Sequence, residues 1–212
     1  MKTIKELFNV ENELLKDYLN NYTYPVEILP NLHDDIIKIG HHLGNDYHMI
    51  KENVWVHESA IIKEGVEIIG PAIIMAHANL KHYCYIRENV IIGEDCVIGN
   101  SSEIKNSIVI GKSNLPHFNY VGDSIIGSHV NLGAGSVVSN LRFDKKNVRV
   151  EKEETSLRKI GAFIGDNTEI GVNSVVCPGT VVMPNSCVFP LTMVKHLVEG
   201  VQKEDTISIK RL

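Results

Sequence analysis

Three side chains in this sequence are suited to handling a phosphate and a proton: Arg87, Lys105 and His117. Arg87 and Lys105 are 18 residues apart, and each directly follows an isoleucine, Ile86 or Ile104. A guanidinium and an ammonium stacked on one face, with no acidic pair in the same column, form an anion seat that suits a phosphate. The plainer alternative is a solvated pair facing Glu88 or Glu103. His117 lies in NLPHFNYVGD, residues 114–123. A neutral imidazole near pH 7 can accept a proton from an ammonium group.

Such groups need a scaffold that sets them at fixed intervals, and the sequence supplies a repeat. Aliphatic residues recur every six positions at Val56, Ile62, Ile68, Ile74, Leu80, Ile86, Ile92, Ile98, Ile104 and Ile110. Two residues before each stands a small or β-branched side chain, as at Ala60, Ala72, Ala78, Cys84, Cys96 and Ile108. The pattern resumes at Ile126, Leu132 and Val138 and again at Ile164, Ile170, Val176, Val182 and Val188. A helix repeats its apolar face every 3.6 residues and a strand every 2, so a period of six fits neither alone. It fits a short extended run followed by a turn, three runs closing a triangular coil of about 18 residues, with about six coils stacked on one aliphatic column. Arg87 and Lys105 then lie one coil apart, about 4.8 Å.

Counting on from Ile110, the next inward slots fall on Pro116 and Gly122, and the series resumes four residues late at Ile126. The spacing therefore predicts a bulge that presents His117, Asn119 and Tyr120. His117 also falls two faces beyond Lys105. A pocket shared by the imidazole and the cations needs a corner or a cleft against a second copy, most simply in a cyclic homotrimer.

Three segments flank or interrupt the repeat. Residues 1–50 form an N-terminal helix and cap. Within them TIKELFNVENELLKDYLN, residues 3–20, opens on a Thr-x-x-Glu capping signature and sets Ile4, Leu7, Phe8, Leu14, Leu15 and Leu19 at helical spacing. The solenoid is expected over 51–190, with a polar insertion at 139–160 that projects from one face. Residues 191–212 are expected to cap the far end as a short helix or strand.

Composition narrows the class. The chain has 212 residues, a formal charge of −5 and a pI near 6.0. No basic cluster interleaves with aromatics, so a nucleic-acid partner is not expected. No apolar run reaches the length of a membrane span, and the first residues carry acids where a signal peptide is apolar. The four cysteines, Cys84, Cys96, Cys177 and Cys187, are far apart and read as reduced packing residues of a cytoplasmic protein.

The stretch LPHFNYVGDSIIGSHVNLGAGSVVSN is similar to the acetyltransferase domain of the bifunctional N-acetylglucosamine-1-phosphate uridyltransferase/glucosamine-1-phosphate acetyltransferase family. It also resembles the C-terminal domains of related sugar-phosphate nucleotidyltransferases. The shared motif falls on His117, Tyr120, Gly122, Asp123, Asn131, Gly133, Ala134, Gly135 and Asn140, and the likeness covers about residues 54–190. The resemblance implies an all-β solenoid, a left-handed parallel β-helix of hexapeptide repeats with an N-terminal α-helix. The right-handed crossover preference alone would give the other hand.

The resemblance further implies an N-acetyltransferase that takes acetyl-CoA as co-substrate, needs no metal and acts on an amino-sugar phosphate such as glucosamine-1-phosphate. His117 would be the general base, and Asn140, from a neighbouring copy, would contact the amine or tetrahedral centre. Arg87 and Lys105 would hold the phosphate, while Tyr120 and Asn131 orient the hexosamine. Ala134 and Gly135 would line the thioester, and Lys145 or Lys146 would reach the phosphate from the adjacent protomer. Bacterial members continue Asn-Tyr-Asp-Gly after the last Asn, where this chain has Asn140, Leu141, Arg142, Phe143 and Asp144. The sugar is thereby left open. No Gly-rich nucleotide loop occurs, so nucleotidyl transfer is not expected of these residues.

Two rivals share the prism. A gamma-class carbonic anhydrase binds zinc through three histidines, for which His77, His82 and His57 offer H-x4-H spacing and a third ligand. Here the pair precedes Arg87 rather than following it, and it is one step off phase. A non-catalytic scaffold would release no CoA with any amine.

Overall fold

The structure, a computed structural model, describes residues 1–202. Three parallel sheets of short strands form a three-sided β-solenoid of about eight turns. The first face is a nine-stranded sheet from Tyr47–Lys51 to Leu197–Val198, in which only the opening pair, Tyr47–Lys51 with Val54–His57, is antiparallel. The second face has eight strands, from Ile61–Ile62 to Val201–Gln202, and the third has seven, from Glu67–Ile68 to Met193–Val194. Strands Met193–Val194, Leu197–Val198 and Val201–Gln202 continue all three faces where a cap was expected. The remainder of that expected cap, 203–212, lies outside the described residues. No helix among the described residues is long and apolar enough to cross a membrane.

The hexad aliphatics fill the interior. Ile74 stacks on Val56 and Ile92 on Ile74 in the first face, Ile98 on Leu80 in the second, and Ile104 on Ile86 in the third. All are buried in one cluster with the small partners Ala72, Ala78, Cys84 and Cys96. Each such side chain contributes about 1.5–3 kcal/mol by leaving water. Ile62 is the exception at 37% exposed, because its strand is the terminal one of its sheet.

The expected bulge is absent. Register shows instead that the coils shorten: Ile92 pairs with Val109 and Val109 with Ile126, steps of 17 residues in place of 18. Ile104 likewise pairs with Val121, and Ile98 with Leu115. One residue is lost at the corner between Ile104 and Val109, and one more between Val121 and Ile126. The inward slots are therefore Val109, Leu115 and Val121, not Ile110, Pro116 and Gly122. Ile108 and Ile110 face outward and are buried beneath the N-terminal segment. His117 ends a regular strand, Asn114–His117, and Tyr120 begins the next, Tyr120–Gly122. Asn119 is not presented at all. It is 2% exposed, and its amide donates to the Gly133 carbonyl at 2.8 Å and the Ser136 hydroxyl at 3.0 Å.

A second apolar layer covers the outside of the first face. Trp55, Ile73, Met75, Ile91, Ile125, Phe163 and Val181 point outward from it and are buried. A face covered on both sides needs near-continuous apolar strands, as AII, VII and AFI are. The expected N-terminal helix is part of that cover, in two pieces: α1 (Ile4–Leu7), with the Thr3/Glu6 capping box, and α2 (Glu13–Leu19), capped by Asn12. A third helix, α3 (Leu32–Gly40), follows a 3-10 turn at Pro25–Glu27. Gly40 is required where α3 meets the solenoid, since a Cβ there would come within 2.4 Å of the Trp55 ring.

The break between α1 and α2 is made by Asp166. Its carboxylate accepts the Asn9 N–H at 2.6 Å and the Ser128 N–H at 2.7 Å, and its own N–H donates to the Leu7 carbonyl at 3.1 Å. The backbone groups that would continue the helix are thus spent on the solenoid. The insertion folds as a hairpin, Arg149–Val150 with Glu153–Glu154, and buries Val148, Val150 and Ile160 in the same outer layer. Replacing Asp166 by Ala leaves buried N–H groups unpaired. Denaturant unfolding should show a loss of about 1–3 kcal/mol, with faster amide exchange over residues 7–9 than in the interior strands.

Candidate functional site

Arg87 and Lys105 stack as the repeat requires, on consecutive strands of the third face: the Arg87 N–H donates to the Ile104 carbonyl at 2.8 Å, and Ile86 pairs with Ile104. The column is not free of acids, however. Arg87 Nη1 donates to Glu103 at 3.1 Å, and Nε stands 3.6 Å from Glu88 without a hydrogen-bond partner. Lys105 Nζ is 3.7 Å from Asp123 Oδ1, both largely buried. Two cations one strand spacing apart repel, and a carboxylate beside each offsets this. The Glu103 hydrogen bond pushes the Arg87 pKa up, so the guanidinium is held protonated.

Tyr120 is in register with Glu103, and Gly122 with Lys105. The Tyr120 side chain runs along the outside of its strand until its hydroxyl accepts Asn140 Nδ2 at 3.1 Å. The same Asn140 nitrogen donates to Asp123 Oδ2. Both groups meet above Gly122, where a Cβ would stand 2.6 Å from Asn140 Nδ2 and 2.6 Å from the Tyr120 hydroxyl. Burial, then the charge on Asp123, pushes the Tyr120 pKa up, and the Asn140 hydrogen bond opposes both. With Asn140 donating to it, the phenol keeps its own proton to give. Arg87, Lys105, Tyr120 and Asn140 are therefore one assembly on the third face.

His117 is at the corner before that face, at the end of a second-face strand. It is exposed, and its imidazole makes no hydrogen bond among the described residues. Its carbonyl accepts the Gly135 N–H at 3.0 Å, so Ala134 and Gly135 lie directly above it, one coil on. Gly135 has a φ of +70°, and a Cβ there would press within 2.3 Å of Asn173 Oδ1. Asn131 lies out on the second face, donating to Glu169 at 3.0 Å. Lys145 and Lys146 are exposed in the insertion ahead of its hairpin, where Lys146 lines a groove of about 610 Å³ with Arg142, Asn147 and Arg149. Within one chain, the residues thus fall into a third-face assembly, a corner trio and an outlying set.

Sequence reasoning gave no role to Asp123, the acceptor that ties Lys105 to Asn140. Its position in the motif was visible, but its partners depended on the shortened corner. No group of three or more His, Cys, Asp or Glu side chains among the described residues is placed to hold a metal. His57 Nδ1 is instead 2.8 Å from the Ser59 hydroxyl. Cys84, Cys96, Cys177 and Cys187 are all free thiols.

These features belong to a hexapeptide-repeat solenoid. Residues 68–160 match the GMPPB C-terminal domain, and residues 161–188 match the hexapeptide repeat of succinyl-transferase. Among curated proteins the chain is 36% identical over 186 residues to the bifunctional protein GlmU of Methanococcus maripaludis, covering 84% of this chain and 45% of that protein. It is 37% identical over 166 residues to the bifunctional sugar-1-phosphate nucleotidylyltransferase/acetyltransferase of Sulfurisphaera tokodaii, covering 76% and 41% respectively. The chain thus carries a match to hexapeptide repeats, folds as a parallel β-solenoid, and is similar in sequence to these proteins. It spans less than half the length of those two relatives. Among solved structures, the Arabidopsis UDP-N-acetylglucosamine acyltransferase overlaps 72% of this chain and 66% of its own, at 16% identity and a TM-score of 0.32. PerB from Caulobacter crescentus, solved with CoA and GDP-perosamine, overlaps 70% and 54%, at 14% identity and a TM-score of 0.30.

Tyr120 reports on the assembly. Asn140→Ala removes a donor that favours the phenolate and should raise the Tyr120 pKa further. Asp123→Asn removes a neighbouring negative charge and should lower it. Ultraviolet difference titration against the parent protein reads both shifts.

Proposed function

We propose that this protein is a CoA-dependent N-acyltransferase that acetylates an amino-sugar phosphate such as glucosamine-1-phosphate. The observation that carries this reading is the stack of Arg87 on Lys105, with an unengaged imidazole at the next corner and the Ala134–Gly135 turn above it. The likeness to GlmU and to the sugar-1-phosphate nucleotidylyltransferase/acetyltransferase supports it.

The sugar phosphate is held by Arg87 and Lys105. Their acidic partners leave donors in hand: Arg87 uses one Nη1 N–H on Glu103 and holds Nε buried beside Glu88, which leaves the second Nη1 N–H and the Nη2 pair for phosphate. Tyr120 donates a hydrogen bond from its phenol to the hexosamine, and Asn131 orients the same sugar from the second face. His117 takes a proton from the sugar ammonium. The freed amine attacks the thioester carbonyl of acetyl-CoA, forming the N–C bond. The tetrahedral intermediate collapses with cleavage of the C–S bond, the nitrogen gives up a second proton to solvent, and the thiolate leaves as CoA–SH with the proton from His117. Ala134 and Gly135 line the thioester, and backbone N–H groups of that turn face the developing oxyanion. Asn140 contacts the amine or the tetrahedral centre.

His117 and the cations belong to different faces of one prism, so the working site is completed between copies, most simply in a homotrimer. Lys145 or Lys146 then reaches the phosphate from the adjacent protomer. A supply of acetyl-CoA and sugar phosphate places the protein in the cytoplasm.

His117→Ala should cut turnover by roughly 10²-fold or more. The melting temperature should stay at the parent value, because the imidazole holds nothing in the fold. Release of CoA with glucosamine-1-phosphate and other amino sugars is the assay. Unchanged turnover in the variant removes the proposed base, and no CoA release with any amine removes the reaction.

A further inference from the structure

A polar ladder runs up the corner between the third and first faces and ends in the assembly just described. His33, on α3, places Nδ1 2.8 Å from Asn89 Oδ1. Asn89 Nδ2 donates to Asn106 Oδ1 at 3.1 Å, and Asn106 Nδ2 donates to Asp123 Oδ1 at 2.9 Å. Asp123 Oδ2 accepts Asn140 Nδ2, which also serves the Tyr120 hydroxyl. We propose that Asn106, backed by Asn89 and His33, is a positioning residue that fixes Asn140 and Tyr120 through Asp123.

The direction of the ladder carries the argument. Each asparagine accepts on its oxygen from the rung before and donates from its nitrogen to the rung after, so every donor points towards the carboxylate. A chain of this kind polarises itself, and it ends on a group that only accepts. Asp123 receives Asn106 on one oxygen and Asn140 on the other, which pins the plane of its carboxylate. Without the Asn106 donor, Oδ1 keeps only the Lys105 ammonium at 3.7 Å, beyond hydrogen-bond distance, and the plane that aims Oδ2 at Asn140 is no longer fixed from that side.

Backbone demands do not explain the asparagines. Asn89, Asn106 and Asp123 have φ of 63°, 44° and 50°, in the left-handed region that short polar side chains tolerate. At the other two corners left-handed positions are filled by His77, Tyr83, Lys112, Phe118 and His129, and at this third-to-first corner, further along, by His196. A left-handed position at this corner therefore admits a residue as large as histidine, and what singles out the amides at 89 and 106 is what they bond.

The chemical consequence rests on the acyltransfer reading, but the geometry does not, and the test separates them. Asn106→Asp keeps shape and tolerance of left-handed φ while replacing the donor with a like charge facing Asp123. Asn106→Gly removes the side chain at a position where glycine is unstrained. In both, NMR should show the Asn140 side-chain amide protons exchanging with solvent about tenfold faster or more. The backbone amides of Ile104 and Val121 should keep the parent rate. In the acyl-transfer assay, kcat should fall about tenfold while KM for acetyl-CoA holds, as expected for a group that orients reacting atoms rather than binds the co-substrate. If only shape mattered, Asn106→Asp would behave as the parent, and that result overturns the proposal. So does unchanged Asn140 exchange in both variants. If exchange accelerates but the parent protein acylates no amino-sugar phosphate, the positioning stands and the reaction assigned above falls.

Discussion

Every feature of this molecule depends on one constraint: each coil must hydrogen-bond to the coil beneath it while laying an aliphatic side chain on the one below. Both conditions hold only if the chain returns to the same point after a fixed number of residues. Residues one coil apart are then neighbours at about strand spacing, whatever their chemistry. Ile74 over Val56 satisfies the constraint profitably. Arg87 beneath Lys105 satisfies it at an electrostatic cost, and Glu88, Glu103 and Asp123 offset that cost.

The coil length is not quite constant, and the geometry of the candidate site follows from the variation. Dropping one residue after Ile104 and another after Val121 keeps aliphatics inside, and each drop shifts every later residue by one further position. Tyr120 thereby heads a strand and lies along its outer surface, and Gly122 falls beneath the meeting point of Tyr120 and Asn140. The same shortening brings Asp123 to a corner, in line with Asn106 and Asn89. The turn that precedes the insertion also becomes the start of the assembly, since Asn140 is anchored before the chain leaves for its hairpin.

The N-terminal segment decides which faces are free. Helices α1 to α3 and the insertion's hairpin close over the first face and bury Ile73, Ile91, Ile125 and Phe163. The second and third faces are left uncovered, with the corner between them where His117, Ala134 and Gly135 meet. His33 ties α3 to that arrangement through the amide ladder, so the covering layer and the assembly are bonded and not merely adjacent.

The spacing of aliphatics in the sequence determined the solenoid, its three faces and the stacking of Arg87 on Lys105, because one short extended run and one turn in each six residues close a three-sided coil that buries one aliphatic per side. The capping box at Thr3 and Glu6 determined where the first helix starts, because those contacts are local. Only the folded chain decided that this helix stops at Leu7, since the competing acceptor and donor come from Asp166, far along the sequence. It alone decided that Asn119 is inside and Ile110 outside, since a one-residue deletion at a corner leaves no local mark among side chains that are apolar on both surfaces. And it alone joined Lys105, Asp123, Asn140 and Tyr120, because hydrogen bonds between coils depend on how many residues each turn contains, a quantity set by packing around the whole circuit.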